Sequence, residues 1–221
     1  MVALIVTTLL MLAFRALVFT TYTVEGPALE PSLISGDRVL VNRWSYGLRT
    51  GGGGLFGYAR WLGPQPLRGD LVVFNCPLDT LRPVACRPVY ACFCKALPGD
   101  TVTVGREAVQ VPGRMHTVGV TTANMGLLAY LYNHYEDRRA LIRGGILYVD
   151  GEPTRCAAFK KNYYWMASGH ASNYNDSRLF GFVPEDHLIG KITMLLYSID
   201  PDSPFYRSLR TDRTLLYVGA E

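Results

Sequence analysis

Most of the residue types that do covalent chemistry stand isolated along this chain. Cys76, Cys86, Cys92, Cys94 and Cys156 form no CxxC pair and no histidine-flanked set, so no metal or other cofactor is expected. Cys76 and Cys86 flank a Pro-bearing loop between two strand-like runs; they are either bridged, in a compartment outside the cytoplasm, or two unpaired thiols. The run Gly51-Gly52-Gly53-Gly54 lacks the Gly-Lys-Ser/Thr that completes a phosphate-binding loop. His116, His134 and His187 read as surface or hydrogen-bonded polar residues. The stretch that asks for an explanation is VEGPALEPSLISGD, residues 24–37, a Gly- and Pro-shaped turn built around an alanine.

The elements that must position this turn follow from composition and pattern. With 221 residues, 49% of them apolar and 18% charged, the chain can bury a core and is too short for more than one or two domains. The first fourteen residues carry no charged side chain, and after Arg15 the apolar run resumes through Phe19. That length, about twenty residues, suits a bilayer span. Arg15 costs roughly 2.5 to 3.5 kcal/mol at the midplane but lies past the middle, where it can snorkel to the interface. A cleaved signal peptide would need a basic start and a small-x-small site at the right distance, and this run has neither. No Lys or Arg precedes the run, so loop charge hardly encodes its orientation. The net charge of +4 is spread among acidic residues, which argues against nucleic-acid binding and fits weak attraction to anionic lipid.

Beyond this segment, DRVLVNRW, GDLVVFN, VYACFC, DTVTV, GGILYVDGEP and KITMLLYS recur between turn signals and predict a mainly β, antiparallel domain. Residues 47–70, rich in Gly and aromatics, are expected to be a mobile surface loop near the membrane. Residues 122–141 have apolar spacing close to the helical period and are expected to form the one soluble helix.

Four segments together resemble the type I signal peptidases, the bacterial leader peptidases, from the first helix to KITMLLY. The family's Gly-x-Ser-Met-x-Pro-Ser/Thr-Leu turn followed by Gly-Asp stands here as Gly26 to Leu33 and then Gly36-Asp37, with Ala28 where the nucleophilic serine belongs. Arg68 to Phe74 resembles the next strand. Leu97-Pro98-Gly99-Asp100 ends the third segment, in which the family places its general-base lysine six residues before the proline; that position is Cys92. The fourth segment, from Asp176 and Arg178 to Pro184, matches the family's structural motif and is followed by Gly190-Lys191. Just upstream, however, Ser168-Gly169-His170-Ala171 replaces Gly-Asp-Asn-Arg, and Tyr174 falls where many members carry a lysine-positioning serine.

In a Ser/Lys dyad, a lysine in an apolar pocket loses its proton because desolvation disfavours the ammonium, and the neutral amine then accepts the serine proton. Alanine has no oxygen to activate. Removing nucleophile or base from subtilisin costs about 10⁶-fold in kcat, what remains coming from binding and the oxyanion hole. The backbone N–H of residue 28 needs no side chain, so a cradle for a carbonyl is compatible with the loss. Lys95 lies three positions from Cys92 on one strand and is expected on the opposite face; Ser32 lies beyond Pro31. A replacement pair, Cys92 with His170, would offer thiolate and imidazole chemistry; otherwise Cys92 is a small buried residue filling the lysine's place. A single engineered serine-to-alanine change would explain Ala28 alone and leave Cys92, Tyr174 and Ser168 to Ala171 unexplained.

The resemblance implies that peptides bind as an added strand and places Tyr22, Val24, Leu33, Val39, Val73, Tyr90 and Ala91 around pockets for small side chains. It implies a membrane anchor over residues 1–22 and a signal-peptidase-like domain over 23–221, with its core at about 23–100 and 164–221 and an inserted β-rich lobe at about 101–163 carrying the helix. The family puts the N-terminus inside and the globular part on the outer, periplasmic side of the cytoplasmic membrane. The first expectation is a membrane-anchored pseudo-peptidase that binds signal peptides, a membrane protein or an active paralogue without cutting. The alternative is a working endopeptidase that removes signal peptides from exported proteins.

Overall fold

The computed structural model of the chain describes residues 4–8, 11, 18–50, 59–61, 63–105, 107–169, 175–200, 202–203 and 208–219. Its strands are β1 (Phe19–Thr23), β2 (Asp37–Asn42), β3 (Leu48–Thr50), β4 (Ala59–Trp61), β5 (Leu71–Asn75), β6 (Val89–Ala96), β7 (Thr101–Val104), β8 (Glu107–Gln110) and β9 (Val118–Gly119). Then follow β10 (Ala140–Arg143), β11 (Ile146–Val149), β12 (Glu152–Pro153), β13 (Cys156–Ala157), β14 (Tyr163–Ala167), β15 (Val183–Pro184), β16 (Leu188–Ile199), β17 (Leu209–Arg210) and β18 (Leu216–Tyr217). Helix α1 spans Met125–Tyr135 and the single turn α2 spans Ser177–Phe180.

The large sheet runs in the order β1-β2-β16-β5-β6-β14-β15, with β17 and β18 also paired to β16, and its pairings are antiparallel. β16 therefore enters between two strands from the first third of the chain. It does so at Gly190, where a Cβ would run into the Asn42 carbonyl oxygen, so only glycine permits this approach. Next to it, Lys191 Nζ reaches Asp70 Oδ1 at 2.5 Å, while Tyr46 and the Leu67 amide donate to Asp70 Oδ2 at 2.9 and 3.0 Å.

β5 is apolar at consecutive positions because both faces of the sheet are covered. Leu71 and Val73 join a cluster with Val39, Val41, Ile192 and Phe93; Val72 and Phe74 join another with Cys92, Cys94, Tyr164 and Phe180. A third cluster lies under the segment between β6 and β14. There α1 buries Leu128, Leu131, Tyr132 and Tyr135 against Val111, Leu147, Phe159 and Tyr163, and the small sheets β7-β8, β10-β11-β12 and β9-β13 surround it.

The bounds of three expected elements differ from the structure, with residues 1–3, 9–10 and 12–17 of the expected anchor outside the described residues. The apolar run expected as an anchor through residue 22 turns into strand at Phe19, where β1 pairs with β2 in the register Tyr22↔Val39; residues 4–8 are helical. Among the described residues no helix is long and apolar enough to cross a membrane. The helix expected over 122–141 is limited to 125–135. The Asn124 side chain accepts from the Thr121 amide before it, and after it the buried Glu136 carboxylate accepts from the amides of Lys160 and Lys161 and from the Tyr163 hydroxyl, so the chain turns and Ala140 pairs with Val149 in β10-β11. Finally, residues 47–70, expected as a mobile surface loop near the membrane, contain the β3-β4 hairpin, and Gly63 packs so closely on Gly47 that a Cβ could not fit; residues 51–58 and 62 lie outside the described residues. All five cysteines carry free thiols, Cys76 and Cys86 included.

The packing of α1 yields one prediction. Leu128 is fully buried in the third cluster, so Leu128→Ala should lower unfolding free energy by roughly 2 to 5 kcal/mol, as measured by urea denaturation.

Candidate functional site

The turn around Ala28 is closed by the sheet and pinned by apolar side chains. The Val24 amide donates to Asp37 O at 2.8 Å and the Gly36 amide to Val24 O at 3.0 Å, which joins the two ends of the segment. Between them, Gly26 takes the positive φ that starts the turn. Leu29 and Leu33 are buried in the cluster that also holds Val39 and Val73. Ala28 thus sits half-buried at the sheet surface, and its carbonyl accepts from the Gly169 amide at 2.8 Å.

The large sheet curls, so that β1 and β6, although three strands lie between them, face each other across a cavity of about 330 Å³. Tyr22, Val24, Ala28 and Leu29 form one wall, Val89, Tyr90 and Ala91 the other, and Val39, Val73 and Ile192 lie between them, with Asn175 at the cavity as well. Six of the seven residues expected around a peptide groove are therefore brought together. Leu33 is the exception: it is buried beneath the turn and borders a separate cavity of about 210 Å³ with Phe93, Leu195 and Leu216. Thr23, Glu25, Leu29, Val89, Asn175 and Ile192 were not anticipated. Ile192 lies on β16, where strand alternation could have placed it, whereas Leu29 belongs to the turn and nothing in the sequence ties Asn175 to this wall.

Both walls expose backbone. β1 is the edge of the sheet. β14 pairs with β6 only along Phe93 to Ala96, so among the described residues no strand lies beside the far side of Val89 to Cys92. Such strand edges, bare among the described residues, are where an extended segment can add by backbone hydrogen bonding.

Cys92 lies elsewhere. It is fully buried in the cluster on the other side of the sheet, with Val72, Phe74 and Met166, and its thiol donates to Asn175 O at 3.7 Å. Burial pushes this thiol well above the ordinary cysteine range, the Asp176 carboxylate adds to the rise, and Arg178 offsets part of it. Such a thiol supplies little thiolate. Cys94 is also buried, and its thiol is pushed up to about 12. Lys95 points the opposite way, exposed, with its ammonium 5.1 Å from the Phe93 ring. His170 and Tyr174 lie outside the described residues.

The Asp176 carboxylate organises the loop beside the cavity. Its oxygens accept from the Arg178 and Ser168 amides, each at 2.9 Å, and from the Arg178 guanidinium at 2.8 Å, while Ser177 Oγ accepts from the Met166 amide at 2.9 Å. Burial works to raise the Asp176 pKa, but the hydrogen bonds from Arg178 and the backbone outweigh it and hold it below the usual carboxylate value. His187 is likewise satisfied and buried, between Asp186 Oδ1 at 2.9 Å and Arg87 Nη1 at 2.8 Å; His134 lies exposed against Tyr130. Among the described residues no group of three or more His, Cys, Asp or Glu side chains could hold a metal.

A curled antiparallel sheet with a peptide-sized apolar cleft and an aspartate-arginine loop at its side defines the class of the protein. Residues 1–197 match the family described as signal peptidase, peptidase S26, and the chain belongs to that family. It is 25% identical to signal peptidase I of Aquifex aeolicus over 234 aligned positions, covering 86% of this chain and 80% of that protein. Signal peptidase I of Pseudomonas aeruginosa is 28% identical, with 82% of this chain and 66% of that protein covered. Signal peptidase IB of Staphylococcus aureus is 23% identical, with 89% and 86% covered.

Two outcomes follow from the site. Iodoacetamide at pH 8 should modify the exposed Cys86 and Cys156 in the folded protein and spare Cys76, Cys92 and Cys94, as read by mass spectrometry of tryptic peptides. Asp176→Asn should cost roughly 1 to 3 kcal/mol near neutral pH. The lowered folded pKa means that the carboxylate stabilises the fold above about pH 4 and that its contribution fades as the pH falls through the folded value. The difference in thermal midpoint between wild type and variant should therefore shrink on acidification.

Proposed function

We propose that this chain is a non-cleaving member of the signal peptidase family, a membrane-anchored protein that holds an extended apolar segment in the cleft between β1 and β6. The observation that carries the reading is the cleft lining itself: Ala28 stands in it, and its described residues include no serine, cysteine, lysine or histidine. A segment laid along Val89 to Ala91 gains backbone hydrogen bonds by strand addition, and its small side chains fit between Val39, Val73 and Ile192. The signal peptidase I relatives point to signal peptides of exported preproteins as the occupants, with a membrane protein or an active paralogue as further partners. The same relationship supports an anchor in the cytoplasmic membrane with the sheet domain on its outer side.

Cys92 does not restore chemistry in this reading, because a protonated, fully buried thiol on the other face of the sheet neither attacks nor accepts a proton at Ala28.

The test is cleavage of a preprotein bearing Ala-x-Ala by the membrane-reconstituted protein, alongside Ala28→Ser/Cys92→Lys and Cys92→Ala. The natural protein should release no mature product while binding the corresponding peptide, and Ala91→Trp, which fills the cleft, should weaken that binding at least about tenfold. Product formation by the double variant would show the frame to be intact. Cleavage by the natural protein would overturn the proposal, and its loss in Cys92→Ala would make the protein a thiol protease.

A further inference from the structure

The family match ends at residue 197, yet residues 208–219 return along β16 as the short strands β17 and β18. This arm does more than cover the sheet. Arg213 Nη2 donates to Asp37 Oδ2 at 2.7 Å and to the Ser32 carbonyl at 3.2 Å, and its Nε lies 3.3 Å from Asp37 Oδ1. Three residues away, Arg210 Nη1 donates to the Ser35 carbonyl at 3.0 Å and to Ser198 Oγ at 3.1 Å. Two carbonyls of the turn that carries Ala28 are thus held by guanidinium groups from the far end of the chain.

Asp37 is the anchor of this contact. It is fully buried at the closed base of the turn, and its Oδ2 also accepts from the Ile34 amide at 2.9 Å. The rest of the turn has few internal ties: the Glu30 amide reaches Pro27 O at 3.2 Å and the Leu33 amide Leu29 O at 3.0 Å. Leu216 and Val218 of the same arm border the cavity that contains Ser32, Leu33 and Phe93, so the turn is backed by the arm along its buried side as well.

We propose that Arg213 is a positioning residue, and that the 208–219 arm is a brace that fixes the Ala28 turn and thereby the width of the cleft. Its effect on peptide binding rests on the cleft reading above; its effect on the turn does not. Loss of the brace lets residues 28–34, with Ala28 and Leu29 of the cleft wall, move away from the β6 wall, which weakens capture of an extended segment although neither Arg213 nor Asp37 lines the cleft.

A charge left behind would confuse the result, since Arg213→Ala alone strands a buried carboxylate and weakens the whole fold. The decisive variant is therefore Arg213→Ala/Asp37→Asn, which removes both charges and leaves Asn able to accept from the Ile34 amide. Two readouts are taken on the full chain: hydrogen exchange at the Leu33 and Gly36 amides, and fluorescence anisotropy with a fluorescein-labelled Ala-x-Ala peptide. The expected result is exchange about tenfold faster at these two amides with β5 unchanged, and peptide affinity about tenfold weaker, with unfolding free energy closer to wild type than that of Arg213→Ala. Unchanged exchange at Leu33 and Gly36 would overturn the brace. Faster exchange with wild-type affinity would overturn its role in the cleft. If the wild-type protein binds no peptide, the cleft reading fails and the exchange result alone decides whether Arg213 fixes the turn.

Discussion

The structure depends on the insertion of one long strand, Leu188–Ile199, between two strands that precede it by more than a hundred residues. Removing it would separate β2 from β5 and leave no floor to the cleft, because Val39, Ile192 and Val73 come from three different strands. The insertion is possible because Gly190 lets the backbone pass close to Asn42, and it is fixed because Lys191 meets an Asp70 already held by Tyr46 and the Leu67 amide. Contacts of this range are made late and at high entropic cost. Every local feature of the cleft is conditional on them.

That dependence separates the shape of the site from its chemistry. The cleft is made of strand backbone and apolar side chains that also serve the core, so the sheet cannot form without forming it. A nucleophile and a base carry no such obligation. Alanine at position 28 keeps the turn, its contact with Gly169 included, and cysteine at position 92 fills space between Phe74 and Met166 more comfortably than a lysine there would. The Asp176 loop persists because it holds backbone from Met166 to Ser168, which is a structural task.

Sequence pattern made much of this legible. The continuous apolar run of β5, the alternation through β6 and the KITMLLYS segment marked three of the central strands, and six of the seven residues that the family resemblance placed around a groove line one cavity. What it could not show was where one apolar pattern gives way to another. The run ending at Phe19 is apolar on both sides of Arg15, so composition alone does not separate a bilayer span from β1, which is committed by its register with β2. The helical period continued past Tyr135 on paper because Glu136 looks like a surface residue, whereas its carboxylate is satisfied by the 160–163 segment from across the lobe. Leu33 shares the apolar character of the cleft residues but points beneath the turn, a choice made by turn geometry that no spacing rule contains.

Beside Val89 to Cys92 of β6 no strand lies among the described residues, and this has a consequence for edge-to-edge pairing. An open strand edge is a template for any other chain, including another copy of this one. Here the exposed stretch is only Val89 to Cys92: Pro88, which has no N–H to offer, stands at one end, and pairing with β14 begins at Phe93 at the other. So short a ladder, set inside a curled sheet instead of along a flat rim, gives little purchase for the repeated edge-to-edge stacking from which aggregates grow.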